Sequence, residues 1–363
     1  MHKATSVPLQ LKGPAEPPPA TSFDLRKDWL ACNREEILAP DLPIIDPHHH
    51  LWDRHWRYLL GDLLADVESG HRVLKTVYVQ CNSMYRLDVG AQWASLGETE
   101  FVNGVAAMAA SGGYGPVEAC AGMVAHIDLM LGDGARKVLE RHQCAAGPRL
   151  KGIRNSSVWD EDARIVTTRR PSPPGLLSAE PFRQGFAHLH SLGLSFDAWL
   201  YHPQIPELVD LARAFPDTQI VLDHLGAPLG VHSYANRRAE VFATWRKNIE
   251  MLSSCPNVCV KLGGLGMPVM GFGFETGAEP PSSLTLAKAW RDYFDVCIEA
   301  FKPERCMFES NFPVDKQSYS YATLWNAFKR YADSFSHDDV AALFHDTAER
   351  IYKLGPSPEA GIP

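Results

Sequence analysis

The chain has 363 residues, of which 45% are hydrophobic and 21% are charged, a composition typical of a globular protein with one large core. Its formal net charge of −8 and the lack of any long Lys/Arg run argue against nucleic acid or an anionic membrane as the main partner. No stretch has the roughly 18 consecutive apolar residues of a membrane span, and the N-terminus lacks the apolar core of a secretion signal. We therefore expect a cytoplasmic protein that acts on a small polar substrate.

Both ends of the chain are rich in proline and glycine. Residues 13–20 read Gly-Pro-Ala-Glu-Pro-Pro-Pro-Ala, which favours extended conformations and builds no core. We predict an N-terminal arm over residues 1–40 that lies on the surface, where it is a candidate contact of a homodimer. Residues 355–363 form the predicted C-terminal tail.

The eight cysteines bear on the compartment. They are scattered along the chain and include no C-x-x-C pair, so neither a disulfide framework nor a cysteine-based metal site is indicated. Most of them lie within apolar runs. We expect buried thiols in a reducing compartment.

Over residues 41–354, short apolar runs alternate with stretches that have apolar residues at helical spacing. Runs such as Ile220-Val221-Leu222 are apolar on both faces, as in a parallel sheet covered by helices. Eight such units predict a distorted (β/α)8 TIM barrel, because a doubly wound sheet usually has about six strands and a Gly-rich phosphate loop, which is not found here. The predicted strands are residues 44–46, 76–80, 122–126, 150–154, 195–200, 219–223, 258–262 and 306–309. The predicted helices are residues 99–110, 135–143, 181–192, 205–215, 238–253, 286–300, 321–331 and 337–353.

The first predicted strand runs into the sequence Asp46-Pro47-His48-His49-His50. Side chains alternate with a period of two along a strand, so we expect Asp46, His48 and His50 to point into one space and His49 to the opposite side. Two imidazoles at the end of one strand favour a metal or electrophile site. The alternative is that these histidines are hydrogen-bonded structural residues.

Polar residues follow several other predicted strands at the end where barrel active sites gather. These residues are Arg154, His202, His224, Lys261, Glu309, Asn311 and Asp315. His224 is a candidate ligand or proton carrier, unless Asp223-His224 simply caps its strand. Arg154 suits a carboxylate or a developing oxyanion, although an arginine in this position often makes a structural ion pair. Lys261 is a weaker candidate for the same role.

Five motifs in this order resemble the amidohydrolase superfamily, specifically amidohydrolase-related family 2. The resemblance covers about residues 43–354 and is to the branch that contains 2-pyrone-4,6-dicarboxylate lactonases and sugar-acid lactonases such as L-fuconolactonases. The motifs are Asp46-x-His48-x-His50, Lys151-Gly152-Ile153-Arg154, His202-Pro203-Gln204, residues 220–228 (IVLDHLGAP) and residues 307–315 (MFESNFPVD).

This resemblance implies the chemistry and the roles of the candidate residues. It implies that His48, His50 and His202 bind a divalent metal, zinc first, or contact the substrate directly, and that His224 completes the cluster. A metal-independent mechanism also occurs in this branch. The implied reaction is hydrolysis of a lactone or ester of a small carboxylated substrate, in which Arg154 and Lys261 are candidate substrate contacts.

One residue departs from the family pattern. The family usually has an aspartate on the eighth strand that binds or deprotonates the attacking water, and this chain has Asn311. An amide can offer a carbonyl oxygen but cannot take a proton, so the base is one of Asp315, Glu309, His202 and His224. Two other functions stay open, which are a metal-dependent decarboxylase of the same superfamily and a non-catalytic binding barrel.

Overall fold

The computed structural model describes residues 25–54, 56–167 and 172–355. Eight parallel strands form one sheet in which each strand pairs with the next along the chain. The eight strands are β1 (Pro43–His49), β2 (Arg72–Val79), β3 (Glu118–Ala125), β4 (Leu150–Ile153), β5 (Ser195–Ala198), β6 (Ile220–Leu222), β7 (Val258–Leu262) and β8 (Cys306–Phe308). All eight predicted strands coincide with these strands, and the predicted TIM barrel is confirmed.

Helices follow the strands and cover the outside of the barrel. They are α1 (Leu60–Val67), α2 (Leu96–Ala110), α3 (Ala135–Ala146), α4 (Glu180–Phe186), α5 (Ile205–Ala214), α6 (Arg238–Ser253), α7 (Ser283–Phe301), α8 (Tyr321–Tyr331), α9 (His337–Ala341) and α10 (Thr347–Ile351). The predicted helix over residues 337–353 is interrupted by a π-helical segment, Ala342–Asp346. Helix α1 was not predicted, because its eight residues fall in the loop region after the first strand.

The barrel closes between β1 and β8 through an irregular seam. His50 N donates to Phe312 O at 2.7 Å and Asn311 N donates to His48 O at 2.9 Å, beyond the end of β8. His49 and Phe312 form an isolated parallel bridge. The seam therefore places the histidines of β1 directly beside the residues that follow β8.

The interior of the barrel is apolar at its N-terminal end and is closed there by residues 351–355. Strand residues such as Ile45, Val77 and Met307 form a buried cluster with Ile351, the last residue of α10, and with Tyr352, which follows it. Lysines of β2 and β4 bind the backbone carbonyl groups of the residues that follow α10. Lys75 Nζ lies 2.5 Å from Gly355 O and Lys151 Nζ lies 2.9 Å from Lys353 O. Residues 351–355 thus close the N-terminal end of the barrel, opposite the end at which the active site lies.

Residues 25–39 pack along α7 and α8. Lys329 Nζ donates to the carbonyls of Leu38 and Ala39, both at 2.8 Å. The proline-rich residues 13–20 and the tail residues 356–363 lie outside the described part of the chain. The arm, the tail and the homodimer contact therefore stay predictions, and light scattering tests the last of them.

Two further predictions concern cysteines and membranes. Of the eight cysteines, Cys32 and Cys144 are exposed and Cys81 is half-buried, so the expectation of buried thiols was wrong for these three. The other five are buried, and none of the eight is in a disulfide. Within residues 25–54, 56–167 and 172–355, no helix combines the length and the apolarity that crossing a bilayer requires.

Candidate active site

The β1 histidines lie at the seam of the barrel, but Asp46 does not join them. His48 and His50 are buried, with their ring centroids 5.0 Å apart. The pairing of β1 with β2 is irregular between Asp46 and His49, which breaks the expected alternation of side chains. The Asp46 carboxylate instead accepts from Tyr321 of α8 at 3.1 Å, so the expectation that Asp46 shares the space of the histidines was wrong. His49 points away, with Nε2 2.9 Å from Thr76 Oγ1.

Glu309 bridges two imidazoles at the centre of the site. Its Oε1 lies 2.7 Å from His224 Nδ1 and its Oε2 lies 2.7 Å from His48 Nδ1. Burial by itself raises the pKa of Glu309, but the two adjacent imidazoles outweigh burial and lower it below its usual value. The ionised carboxylate therefore fixes the ring orientation of both histidines.

The backbone around His224 is unusual and makes room for its ring. His224 has φ 54° and Leu225 has φ 54°, a left-handed conformation that costs energy for residues with a Cβ. Gly264 faces the ring closely, since a Cβ on Gly264 would lie 2.3 Å from His224 Nδ1. The Trp199 ring makes an edge contact with the imidazole at a centroid distance of 4.8 Å. Such strain is typical of functional sites.

Two buried cations face two buried carboxylates beside His48. Lys261 Nζ lies 2.7 Å from Asp197 Oδ2 and 3.0 Å from Asp223 Oδ1. Arg154 Nη1 lies 3.0 Å from Asp223 Oδ2. Burial opposes ionisation of Asp223, but Lys261, His48 and Arg154 together outweigh burial and hold the pKa of Asp223 well below its usual value. Lys261 is fully buried as the counter-ion of both carboxylates, and its predicted contact with the substrate stays a prediction.

The contacts of His48 assign its tautomer. Nδ1 is closest to the Glu309 carboxylate, and Nε2 lies 3.4 Å from Arg154 Nη1. Burial and the nearby Lys261 ammonium both lower the pKa of His48, which favours the neutral ring. A neutral ring that donates from Nδ1 to Glu309 has an acceptor at Nε2, where it meets an arginine N–H. Nδ1 also lies 3.2 Å from Lys261 Nζ, which can only donate, so this tautomer matches the contacts with Glu309 and Arg154 but not the one with Lys261.

His50, Asn311 and Asp315 form a second chain of contacts. His50 Nδ1 lies 2.7 Å from Val79 O, so this nitrogen carries the proton and Nε2 is an acceptor in the neutral ring. Burial lowers the pKa of His50 well below its usual value, which keeps the ring neutral. Nε2 nevertheless faces Asn311 Oδ1, another acceptor, at 3.3 Å, while Asn311 Nδ2 donates to Asp315 Oδ1 at 2.8 Å. A cation between the two acceptors would satisfy both.

Asp315 is enclosed by donors. Its Oδ2 accepts from Gly266 N at 2.9 Å and from Tyr319 Oη at 2.5 Å. Burial raises the pKa of Asp315 to about 6, although these hydrogen bonds act in the opposite direction. Because its Oδ1 accepts from Asn311 Nδ2, Asp315 orients Asn311, and its predicted catalytic role stays a prediction.

His202 lies apart from the bridged histidines. It begins a single 3-10 turn, its ring centroid is 5.3 Å from that of Tyr234, and its Nδ1 accepts from Leu229 N at 3.4 Å. In the part of the chain that the structure describes, His48, Asp223 and His224 form the one cluster with three metal-ligand atoms within 4.8 Å of one another. The metal roles predicted for His50 and His202 therefore stay predictions.

The donor set decides whether a divalent metal fits this site. His48, Asp223 and His224 offer two imidazoles and a carboxylate, which are ligand types that zinc accepts. The three buried carboxylates around them outnumber the two cations Lys261 and Arg154, so one negative charge is left for a further cation to balance. These residues fit a divalent metal, which would compete with the two cations for Asp223.

Sequence reasoning missed two members of this network and underrated a third. Asp197 was not proposed, although a carboxylate inside the apolar strand β5 was a visible signal. Asp223 was considered as a possible cap of its strand together with His224, and it pairs with both cations. Glu309 was only one of four candidate bases, yet it is the group that joins β1 to β6 in the site.

Comparison with known proteins gives the family. The sequence profile of the amidohydrolase family matches residues 45–354. The protein y4mH of Sinorhizobium fredii is 34% identical over 86% of this chain and 99% of its own length. An L-fucono-1,5-lactonase of Burkholderia multivorans is 26% identical over 61% of this chain and 68% of its own length. A Burkholderia multivorans amidohydrolase crystallised with bound zinc has a TM-score of 0.67 and 23% identity, covering 86% of this chain and 99% of its own. The chain belongs to the amidohydrolase family.

Proposed function

We propose that the protein hydrolyses a lactone or ester of a small carboxylated substrate by attack of water at the mouth of the barrel. The observation that carries this proposal is the Glu309–His224 pair, in which a buried carboxylate lies 2.7 Å from an imidazole beside a buried arginine. A histidine held by a carboxylate is a recurrent general base, because the carboxylate fixes the tautomer and stabilises the protonated ring.

His224 is the base in this proposal. Its Nδ1 donates to Glu309, so Nε2 keeps its lone pair and takes the proton of the attacking water. Asn311 cannot serve, because an amide accepts no proton at neutral pH. The same imidazole then returns the proton to the leaving oxygen, which completes ring opening of the lactone.

Arg154 stabilises the negative charge that develops on the carbonyl oxygen. Its Nη1 and Nη2 are bound by Asp223 and by Gln80 O, at 3.0 Å and 2.5 Å. Its buried Nε has no hydrogen-bond partner in the described residues. An unpaired buried N–H costs about 1–3 kcal/mol, so a substrate oxygen that accepts from Nε would recover that energy during the reaction.

A divalent metal, zinc first, is the cofactor in this proposal. His48 and Asp223 would hold it together with the facing acceptors of His50 and Asn311, which leaves the Nε2 lone pair of His224 free for its role as base. The metal would supply Lewis-acid polarisation of the substrate carbonyl. The support is the donor set and the facing acceptors His50 Nε2 and Asn311 Oδ1.

The test is hydrolysis across a panel of sugar-acid and aromatic lactones, with and without added zinc or manganese. We expect turnover of at least one carboxylated lactone, and a strong loss of turnover in His224→Gln. Glu250→Gln is the matched control, because Glu250 makes an exposed ion pair with Arg246 within the outer helix α6. The absence of turnover for every member of the panel, with metal present, would overturn the proposal.

Decarboxylation is the second candidate, and Asn311 is the observation that favours it. Loss of a carbon-carbon bond needs no base to activate water, so an amide on the eighth strand is less disruptive to that reaction. Carbon dioxide release from aromatic carboxylates separates the two functions. A wild-type protein that neither opens lactones nor releases carbon dioxide would instead be a binding barrel.

A further inference from the structure

Tyr352 reaches the active-site network from the N-terminal end of the barrel. Tyr352 follows helix α10 and is fully buried inside the barrel, where it packs in the same cluster as Ile45 and Val77. The chain turns away immediately after it, since Lys353 has φ 48° and Gly355 has φ 73°. The lysine contacts with the carbonyls of residues 353 and 355 hold this turn in place. The backbone on the C-terminal side of Tyr352 is therefore held by contacts with the strand lysines.

The Tyr352 hydroxyl binds a carboxylate of the site network. Tyr352 Oη donates to Asp197 Oδ2 at 2.7 Å, and the same oxygen accepts from Lys261 Nζ at 2.7 Å. Asp197 Oδ1 has no hydrogen-bond partner in the described residues. Both hydrogen bonds to this carboxylate are therefore made to Oδ2, one from Tyr352 and one from Lys261.

The network continues from Lys261 to the groups that act on the substrate. Lys261 Nζ lies 3.0 Å from Asp223 Oδ1 and 3.2 Å from His48 Nδ1. Asp223 in turn holds Arg154. The Tyr352 ring also lies 5.4 Å below the Lys261 ammonium, a cation–π distance. The position of Lys261 depends on Tyr352 in two ways.

We infer that Tyr352 is a positioning residue of the active site, which sets Lys261, and through it His48 and Arg154, by way of Asp197. This inference rests on the proposed function for its effect on catalysis. Without the hydroxyl, the Asp197 carboxylate is free to rotate, because its second oxygen is unanchored. The ammonium then follows the carboxylate, and the arginine N–H groups move relative to the developing oxyanion. Displacements of about 1 Å in such sites reduce rates by as much as about 100-fold.

The test compares Tyr352→Phe with a matched control, Tyr331→Phe. Tyr331 is also buried, and its Oη also donates to a carboxylate, Asp295, at 2.7 Å, but it lies on α8 outside the barrel. Both variants lose one hydroxyl of a buried ring and its hydrogen bond to a carboxylate, so both should melt at reduced temperatures. We expect kcat to fall about tenfold in Tyr352→Phe with KM little changed, and to stay at the wild-type value in Tyr331→Phe.

A measurement without substrate separates this inference from the proposed function. In protein labelled with ¹⁵N-histidine, with the His48 signals assigned from a His48→Gln variant, Tyr352→Phe should shift the imidazole nitrogens of His48 and Tyr331→Phe should not. Asp197→Asn is a second variant for the case that Tyr352→Phe folds poorly. It should also shift the imidazole nitrogen signals of His48. Unchanged His48 signals in Tyr352→Phe, or equal changes in both tyrosine variants, would overturn the inference. Lack of lactone turnover by the wild type would refute the proposed function alone.

Discussion

Replacing Glu309 with glutamine tests the bridge between the two imidazoles. The carboxylate accepts from His224 Nδ1 at 2.7 Å through Oε1, and its Oε2 lies 2.7 Å from His48 Nδ1 as a close charge contact. Glutamine has one acceptor oxygen and an NH2 group that would face an N–H of the second imidazole, so one ring must change its tautomer. The change of shape is minimal, and the loss is one charge and one acceptor.

The magnitude of the effect follows from these contacts. Each hydrogen bond to an ionised carboxylate contributes about 1.5–3 kcal/mol, and about 1.4 kcal/mol corresponds to tenfold in rate. Loss of the His224 bond alone should therefore lower kcat by about 10- to 100-fold, and a wrong tautomer of the base would lower it further, by up to about 10⁴-fold. The free energy of unfolding should fall by about 1–3 kcal/mol, because a buried imidazole N–H loses its acceptor while Lys261 and Arg154 still face the carboxylates Asp197 and Asp223.

The assay is steady-state hydrolysis of the lactone that the wild type turns over best, with chemical denaturation of both proteins. Glu309→Asp serves as the control, since it keeps the charge and shortens the reach. The reasoning would be refuted if Glu309→Gln folded normally and kept more than half of the wild-type kcat.

Three further predictions concern charge. Lys261→Met leaves Asp197 and Asp223 without their buried counter-ion, so the free energy of unfolding should fall by about 3–5 kcal/mol in guanidinium titrations, and an unchanged midpoint would contradict the ion pairs. Burial lowers the pKa of His71 to about 4, so its neutral form stabilises the fold above its unfolded pKa of about 6.5. That stabilisation is lost as the pH falls, by about 2 kcal/mol between pH 7 and 4.5, and His71→Asn should lose less stability than the wild type over this range. Asn311→Asp puts a carboxylate opposite His50 Nε2, so calorimetric titration should show zinc binding about tenfold tighter, and weaker binding would place the metal elsewhere.

The fold was predictable because its signals are local. Strand β6 is apolar on both faces, and helix α6 was predicted with the bounds that the structure has. Patterns of this kind depend on burial of each segment against its neighbours, so a single sequence displays them. The interruption of the last predicted helix by Ala342–Asp346 was not visible, because a single π-helical turn of five residues is too short to change the apolar pattern of the helix around it.

The candidate site was predictable only in part, since its network joins residues far apart in the chain. His48 and His224 were selected from their places at strand ends, and the structure brings their rings to a centroid distance of 4.6 Å. The local irregularity of β1 that removes Asp46 has no signature in the alternation rule. The pairing of Asp197 with Lys261 requires both side chains to face the barrel interior at the same height along its axis. That height depends on the stagger between the strands, which cannot be derived from the sequence alone.

The irregular seam between β1 and β8 has a consequence for the order of assembly. His50 and Asn311 meet across 261 residues of chain, so the site contains both the first and the last strand of the barrel. During synthesis, the first seven strands leave the ribosome before Glu309, the residue whose carboxylate lies between His48 and His224. A chain that stops before β8 has its histidines but no Glu309, and it would lack the fixed tautomers on which the proposed chemistry depends. Long-range closure of this kind is a late event in folding. Activity, when it appears, therefore reports a completed barrel.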